Sequence, residues 1–170
     1  MFQKGDYVYY ASGGVCHVED LMYAPLEGMP KDRLYYVMRS LHDSSGVIYL
    51  PTDCDAVFLR GLISKEEAEK LLTEIAELPP IDAPDAKTLR ERYVAAMRKH
   101  DPREWVRVIK TVYLRARRLA QVSRTQRLSE TERSYADDAK RFLYSELSLS
   151  LNVPAAEMEN YISRCVEATA

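Results

Sequence analysis

The chain has 170 residues, 46% of them hydrophobic and 29% charged, and a formal net charge of −2. This composition is ordinary for a globular protein of one or two domains that buries a sizeable core. No apolar run reaches 18 residues, and the first ten residues include Lys4 and Asp6. We therefore predict neither a membrane span nor a signal peptide, and we expect a cytoplasmic protein.

Metal, disulfide and catalytic motifs are missing from the sequence. The three cysteines, Cys16, Cys54 and Cys165, form no CxxC pair, and the three histidines show no HExxH or HxH spacing. We therefore expect buried thiols, no disulfide framework, no metal and no cofactor. No GxSxG, GxxxxGK[ST] or GxGxxG motif occurs, so neither an enzyme nor a small-molecule substrate is expected.

Residues 1 to about 60 have the pattern of short β-strands. Four segments are rich in aromatic and β-branched residues: Asp6 to Tyr10, Val15 to Met22, Arg33 to Leu41 and Val47 to Leu50. Gly13 and Gly14 mark a turn between the first two. Short strands at this spacing predict a small antiparallel β-barrel, in which closure removes exposed edges. Its net charge of −3 argues against nucleic-acid binding by this part.

From Ser64 onward the hydrophobic period becomes that of helices. Four capping boxes, each a Ser, Thr or Asp followed three residues later by Glu, predict helix starts at Ser64, Thr88, Asp101 and Ser129. Asn152 before Val153 and Pro154 is predicted to begin a fifth helix. Three prolines between residues 79 and 84 interrupt the pattern as a stiff connection. The sequence therefore predicts an α+β chain with a barrel at residues 1–57 and a five-helix bundle at residues 58–170.

Basic residues are concentrated between Lys87 and Arg127. Thirteen basic side chains stand there against three acidic ones, a net charge of +10. Such a field attracts polyanions and weakens with salt, whereas the alternative, a solvated polar face, usually mixes both signs. The helix after Asp101 has an apolar stripe formed by Trp105, Val108, Ile109, Val112, Ala116 and Leu119. Five cations fall off this stripe and are expected to face solvent or a partner: Arg103, Arg107, Lys110, Arg117 and Arg118.

The order of elements and several local motifs resemble the CarD/CdnL family of bacterial transcription regulators. The segments that carry the resemblance are FQKGDYVYY at residues 2–10, LRGLISKEE at 59–67, RY at 92–93, LSETE at 128–132 and AKRFLYSELSL at 139–149. The resemblance implies a Tudor-like (SH3-like) module at residues 1–57 that binds the RNA polymerase β subunit. It further implies a helical domain that contacts promoter DNA, where a Trp of that family wedges into the minor groove and stabilises the open complex.

Residue by residue, the resemblance places Leu89 at the position of the wedge Trp, whereas Trp105 is predicted to be a core residue. Arg92 matches a basic residue beside the wedge, and Glu91 and Val94 replace two others. The DNA-binding residues predicted in this way are Leu89, Arg90, Arg92, Arg98 and Arg103. On the polymerase side the family's arginines align near Ala24 and Tyr49, where pairing of sheet edges would support docking.

The favoured interpretation is a monomeric, non-enzymatic transcription regulator that binds the polymerase β subunit and promoter DNA, with mostly phosphate contacts and no membrane partner. It would shift the equilibrium between closed and open promoter complexes by its differential affinity. The alternative is a protein-only adaptor that docks on polymerase or another acidic protein surface. Leu89, Glu91 and Val94 motivate the alternative, because they replace the wedge and two of the cations that flank it.

Overall fold

A computed structural model describes residues 1–168 of the chain, which forms two compact units, Met1–Leu62 and Ile63–Ala170. The first unit consists of β-strands and the second of α-helices, so the predicted α+β class is confirmed. Within the described residues, every helix is too short or too polar to cross a lipid bilayer.

Five strands form the first unit. They are β1 (Tyr7–Tyr10), β2 (Gly14–Tyr23), β3 (Leu34–Ser40), β4 (Ile48–Pro51) and β5 (Leu59–Gly61). All neighbours are antiparallel in the order β4-β3-β2-β1-β5, so β4 and β5 lie at the two edges. Among residues 1–168 no pairing joins β4 to β5; the sheet is open, and the closure that a barrel requires is not shown by these pairings.

The four predicted strands are present, and β5 is an addition to them. Val8 of β1 pairs with Gly61 and Tyr10 pairs with Leu59. A strand of three residues is too short to show alternation, so its pairing with β1, about 50 residues earlier, was not predictable from local pattern. The expected domain boundary after residue 57 falls before this strand.

One face of the sheet carries the core of the first unit. Its buried side chains are Val8, Cys16, Val18, Tyr36, Met38 and Leu50. The β1–β2 turn depends on glycine, because Gly14 has a φ of +67° and a Cβ on Gly13 would lie 3.1 Å from the Cys16 sulfur. Burial raises the pKa of Cys16 to about 11, so this cysteine is a neutral core thiol.

Five helices form the second unit. They are α1 (Lys65–Glu74), α2 (Ala86–Arg98), α3 (Pro102–Val122), α4 (Glu130–Leu151) and α5 (Ala155–Ala168). The predicted caps at Ser64, Asp101 and Ser129 are present, and each accepts a hydrogen bond from a backbone N–H of its first turn. At Ser64 the box is complete, since the Glu67 carboxylate also accepts from the Ser64 N–H.

Two predicted helix starts were wrong. Helix α2 begins three residues earlier than predicted, because the Asp85 carboxylate accepts from the Thr88 N–H at 2.7 Å and makes Asp85 the N-cap. Asn152 ends α4 and does not begin α5, since it adopts the left-handed conformation (φ +53°) that Asn tolerates at a C-cap.

Helix α3 is central to the second unit. Trp105, Val108, Ile109 and Val112 are buried, as the apolar stripe predicted. The last part of the stripe is not covered by other helices, however, because Ala116 is exposed and Leu119 is half-buried. Lys110 was predicted to lie off the stripe and is nevertheless buried, with 3% of its surface exposed, so that prediction was wrong.

The burial of Lys110 has a clear cause in the connection between α1 and α2. Its ammonium donates to the carbonyl oxygens of Ile75, Ala76 and Leu78 at 2.8, 3.2 and 2.6 Å. These carbonyls lie at the C-cap of α1 and in the segment that follows it, and Lys110 is the donor that they share. The proline-rich connection is thereby fixed on α3, with a further bond from the Ile81 N–H to the Thr111 hydroxyl at 2.7 Å.

Candidate nucleic-acid interface

Three cations on α2 have no side-chain partner among the residues that the structure describes. Lys87, Arg90 and Arg98 are exposed, and within residues 1–168 none of their side chains has an ion pair or a hydrogen bond. Lys87 and Arg98 are eleven residues apart, three helical turns, so they lie on one face, and Arg90 lies beside it. Glu91 and the half-buried Val94 share this face, and the Glu91 carboxylate reduces its positive charge. This set, Lys87, Arg90 and Arg98, is called the α2 cation face.

Two other predicted DNA-binding residues already have partners inside the protein. The Arg92 guanidinium donates to the backbone carbonyl of Asp82, and the side chain remains exposed. The Arg103 guanidinium lies 2.9 Å from the Glu74 carboxylate at the end of α1. Arg103 is therefore paired with a neighbouring carboxylate and lies on a different helix from the α2 cation face.

Several further cations of the basic stretch are paired with groups inside the helical unit. Lys99 and Arg107 both approach the Glu104 carboxylate, at 3.4 and 3.2 Å, and Arg107 also donates to the Pro79 carbonyl at 3.0 Å. Arg107 and Lys110 hold the α1–α2 connection in place, whereas Lys99 makes only an exposed ion pair with Glu104. Their charges are paired or buried, so the accessible positive charge is much smaller than the sequence count of +10 suggests.

Leu89 points into the bundle. It has 7% of its surface exposed and lies beside Tyr93 and Tyr135 where α2 meets α4. A hydrogen-bond network closes this contact: the Tyr93 hydroxyl donates to the Glu132 carboxylate at 2.8 Å, and Arg115 donates to the same oxygen at 2.5 Å. Burial, followed by the Glu132 hydrogen bond, raises the pKa of Tyr93, so the phenol stays a donor.

The burial of Leu89 predicts how a truncation behaves. Leu89→Ala removes a core side chain and leaves a cavity, so we expect it to lower the free energy of unfolding by about 2–4 kcal/mol. Denaturant unfolding measures this loss. Val94→Ala, on the outward face of the same helix, is the matched control and should cost less than about 1 kcal/mol. Unchanged stability in Leu89→Ala, combined with lost action on promoter DNA, would instead identify Leu89 as a DNA contact.

The two predicted polymerase-binding positions lie in the β2–β3–β4 part of the sheet. Ala24 follows β2 and adopts a positive φ of +39°, which is uncommon for alanine. Tyr49 lies in the edge strand β4 and pairs with Val37. Beside Ala24 the structure adds two exposed apolar side chains that the sequence did not single out, Met22 and Tyr23, at 43% and 65% exposure. The unpaired side of β4 can accept another strand.

Exposed arginines outside the predicted site complete the basic surface. Arg117, Arg118 and Arg124 at the far end of α3 are exposed and have no ion pair or side-chain hydrogen bond within the described part of the chain. The sequence contained a signal for them, since α3 has no acidic residue after Glu104. They are more than ten residues from the α2 cation face in sequence and were not assigned a role.

Comparison with known proteins bears on the helical unit. A protein-family model described as CarD, C-terminal domain, matches residues 83–163, a range that contains α2, α3 and α4 and the first part of α5. No curated protein matches the chain. Every cation of the α2 cation face lies inside the matched range.

Proposed function

We propose that the chain is a transcription regulator of the CarD/CdnL family that binds RNA polymerase through its N-terminal unit and promoter DNA through its helical unit, because residues 83–163 match the model of the CarD C-terminal domain. The first unit would serve as the family's Tudor-like module, and the second, which contains the match to the CarD C-terminal domain, would contact DNA.

The α2 cation face is the observation that carries the DNA proposal. Lys87, Arg90 and Arg98 are charged, exposed and unpaired within residues 1–168. We expect their long side chains to contact mainly phosphates, so binding would have weak sequence preference and strong salt dependence. Arg92 would add a phosphate contact after breaking its hydrogen bond to the Asp82 carbonyl. Arg103 would add another phosphate contact while it remains next to the Glu74 carboxylate.

Regulation would follow from differential affinity. A factor that binds the open promoter complex more tightly than the closed one shifts the equilibrium toward the open form by the ratio of the two affinities. Phosphate contacts from α2 to the DNA beside the melted region supply such a difference. Leu89 is buried, so a wedge at a base step would first require it to leave the contact between α2 and α4.

Polymerase binding is supported by the free edge of β4. Antiparallel strand addition there would use backbone hydrogen bonds and would not depend on the arginines that the family places near Ala24 and Tyr49. Met22 and Tyr23, at the end of β2 and separated from that edge by β3, would contribute further apolar contact area. We propose the β subunit as the partner, by the resemblance of residues 2–10 to the family's first strand and turn.

The lifetime of open promoter complexes tests the proposed function. RNA polymerase and a promoter duplex are incubated with and without the chain, a competitor is added, and the surviving open complexes are counted over time. We expect the chain to lengthen this lifetime several-fold. An unchanged lifetime at a concentration of chain that saturates the polymerase would contradict the proposal.

A protein-only adaptor is the second candidate, and the burial of Leu89 favours it. With no exposed wedge and with Glu91 on the α2 cation face, the helical unit has fewer means of acting on DNA than the family pattern implies. An adaptor would bind polymerase with full affinity and leave the open-complex lifetime unchanged. The same experiment therefore separates the two candidates.

A further inference from the structure

The far end of α3 has an apolar side that the protein does not cover. Up to Val112 the stripe of α3 is buried, whereas Ala116 and Ala120 are exposed and Leu119 is half-buried. These three residues and Leu128 line a groove of about 360 Å³ beside the connection from α3 to α4. Val122 next to it is 76% exposed. The apolar side of α3 therefore extends beyond the part of the helix that packs in the core, and another molecule can cover this exposed apolar surface.

The charges around this groove all have one sign. Arg124, Arg127 and Arg133 line it, and no acidic residue does so among the described residues. The Arg127 guanidinium is held by the carbonyl oxygens of Arg124 and Gln126, at 2.9 and 3.2 Å. Arg124 and Arg133 have neither an ion pair nor a side-chain hydrogen bond within residues 1–168. The groove is therefore an apolar floor with a cationic rim, and it is called the α3-end groove.

We propose that the α3-end groove docks an acidic protein segment that inserts one or two large apolar side chains. The carboxylates of such a segment would pair with Arg124 and Arg133, and forked hydrogen bonds from arginine suit carboxylates. The apolar side chains would cover Ala116, Leu119 and Ala120 and would contact the largely buried Leu128. A groove of this volume lies at the lower end of the range for well-formed binding pockets, which is about 300–1,000 Å³.

The apolar floor favours a protein segment over nucleic acid. Phosphates would be attracted by the arginine rim, but the methyl groups of the floor contribute no binding free energy to a phosphate. An apolar side chain that covers the floor contributes roughly 25 cal/mol of binding free energy for each Å² of apolar surface removed from water. Complementary charge on the rim would speed association and select acidic partners. The proposal is independent of the α2 cation face, which belongs to another helix.

The test uses the full chain and synthetic fluorescent peptides. The first peptide interleaves Asp and Glu with two Leu residues, and the second replaces both Leu by Ser at the same charge. We expect the first peptide to bind, with an affinity that falls at least tenfold in the double variant Arg124→Glu, Arg133→Glu, and to bind at least tenfold more tightly than the second. Ala120→Glu, which fills the groove from an exposed position, should also abolish binding.

Controls separate this result from unfolding and from general polyanion binding. Arg164→Glu, on the exposed side of α5, matches the charge change per site and should leave peptide affinity within about twofold. Circular dichroism confirms that each variant is folded. Equal affinity for the two peptides, or an affinity that the arginine variants do not change, would overturn the proposal. Loss of duplex DNA binding in the arginine variants without loss of peptide binding would identify the groove rim as a nucleic-acid contact instead.

Discussion

The triple variant Lys87→Gln, Arg90→Gln, Arg98→Gln is expected to bind a promoter duplex on the order of 100-fold more weakly than the wild-type chain at 0.1 M salt. Each of the three cations is exposed and unpaired within residues 1–168, so each is available to a phosphate. Each phosphate contact adds about 0.9 to the slope of log affinity against log salt, so the variant should lose about 2.7 from that slope. Glutamine keeps the helix propensity of α2 and removes only charge.

Fluorescence anisotropy between 50 and 200 mM salt measures both quantities. A matched triple variant, Lys140→Gln, Arg141→Gln, Arg164→Gln, removes the same charge from α4 and α5 and should weaken binding only slightly. Wild-type binding that does not change over this salt range would contradict a phosphate contact. An equal loss in the matched variant would show that the effect belongs to net charge and not to the α2 cation face.

Lys110→Met is expected to lower the free energy of unfolding by about 3–5 kcal/mol, the largest loss that we predict for a charged side chain. Methionine keeps the aliphatic stem, so the change isolates the ammonium. Without it, the carbonyls of Ile75, Ala76 and Leu78 lose a shared donor. Each buried polar group left unsatisfied costs about 1–3 kcal/mol.

The charge of Lys110 is retained because these three carbonyls offset its burial. Burial lowers the pKa of Lys110, which reflects the cost of holding an ammonium away from water. Urea unfolding of Lys110→Met measures the balance, with Lys99→Met as the control, since Lys99 is exposed and its removal should change stability by less than about 0.5 kcal/mol. A loss below about 1 kcal/mol in Lys110→Met would mean that water replaces the ammonium at the end of α1.

Local capping was readable from sequence, and long-range capping was not. The box at Ser64 and Glu67 involves groups three residues apart, so the sequence was sufficient to predict it. Lys110 caps α1 from a position more than 30 residues away, and nothing near it in sequence distinguishes it from Arg107. The start of α2 was misplaced because Asp85 and Thr88 both fit a cap, and the backbone N–H of Thr88 donates to Asp85.

The candidate site shows the same division. The sequence located the basic stretch and the match to the wedge position, but it counted every cation alike. Carboxylates on distant elements pair with some of these cations, as Glu74 does with Arg103 and Glu132 with Arg115. Such paired cations are less available to an external partner. The burial of Leu89 likewise depends on the packing of α2 against α4, which the helical period of α2 alone does not specify.

The most direct measurement is the lifetime of open promoter complexes in the presence of the wild-type chain and of the Lys87→Gln, Arg90→Gln, Arg98→Gln variant. Saturating concentrations of each, confirmed by co-purification with polymerase, make the comparison one of DNA contact alone. We predict a several-fold longer lifetime with the wild-type chain and a lifetime close to that of polymerase alone with the variant. A variant that lengthens the lifetime as much as the wild type would contradict the role proposed for the α2 cation face.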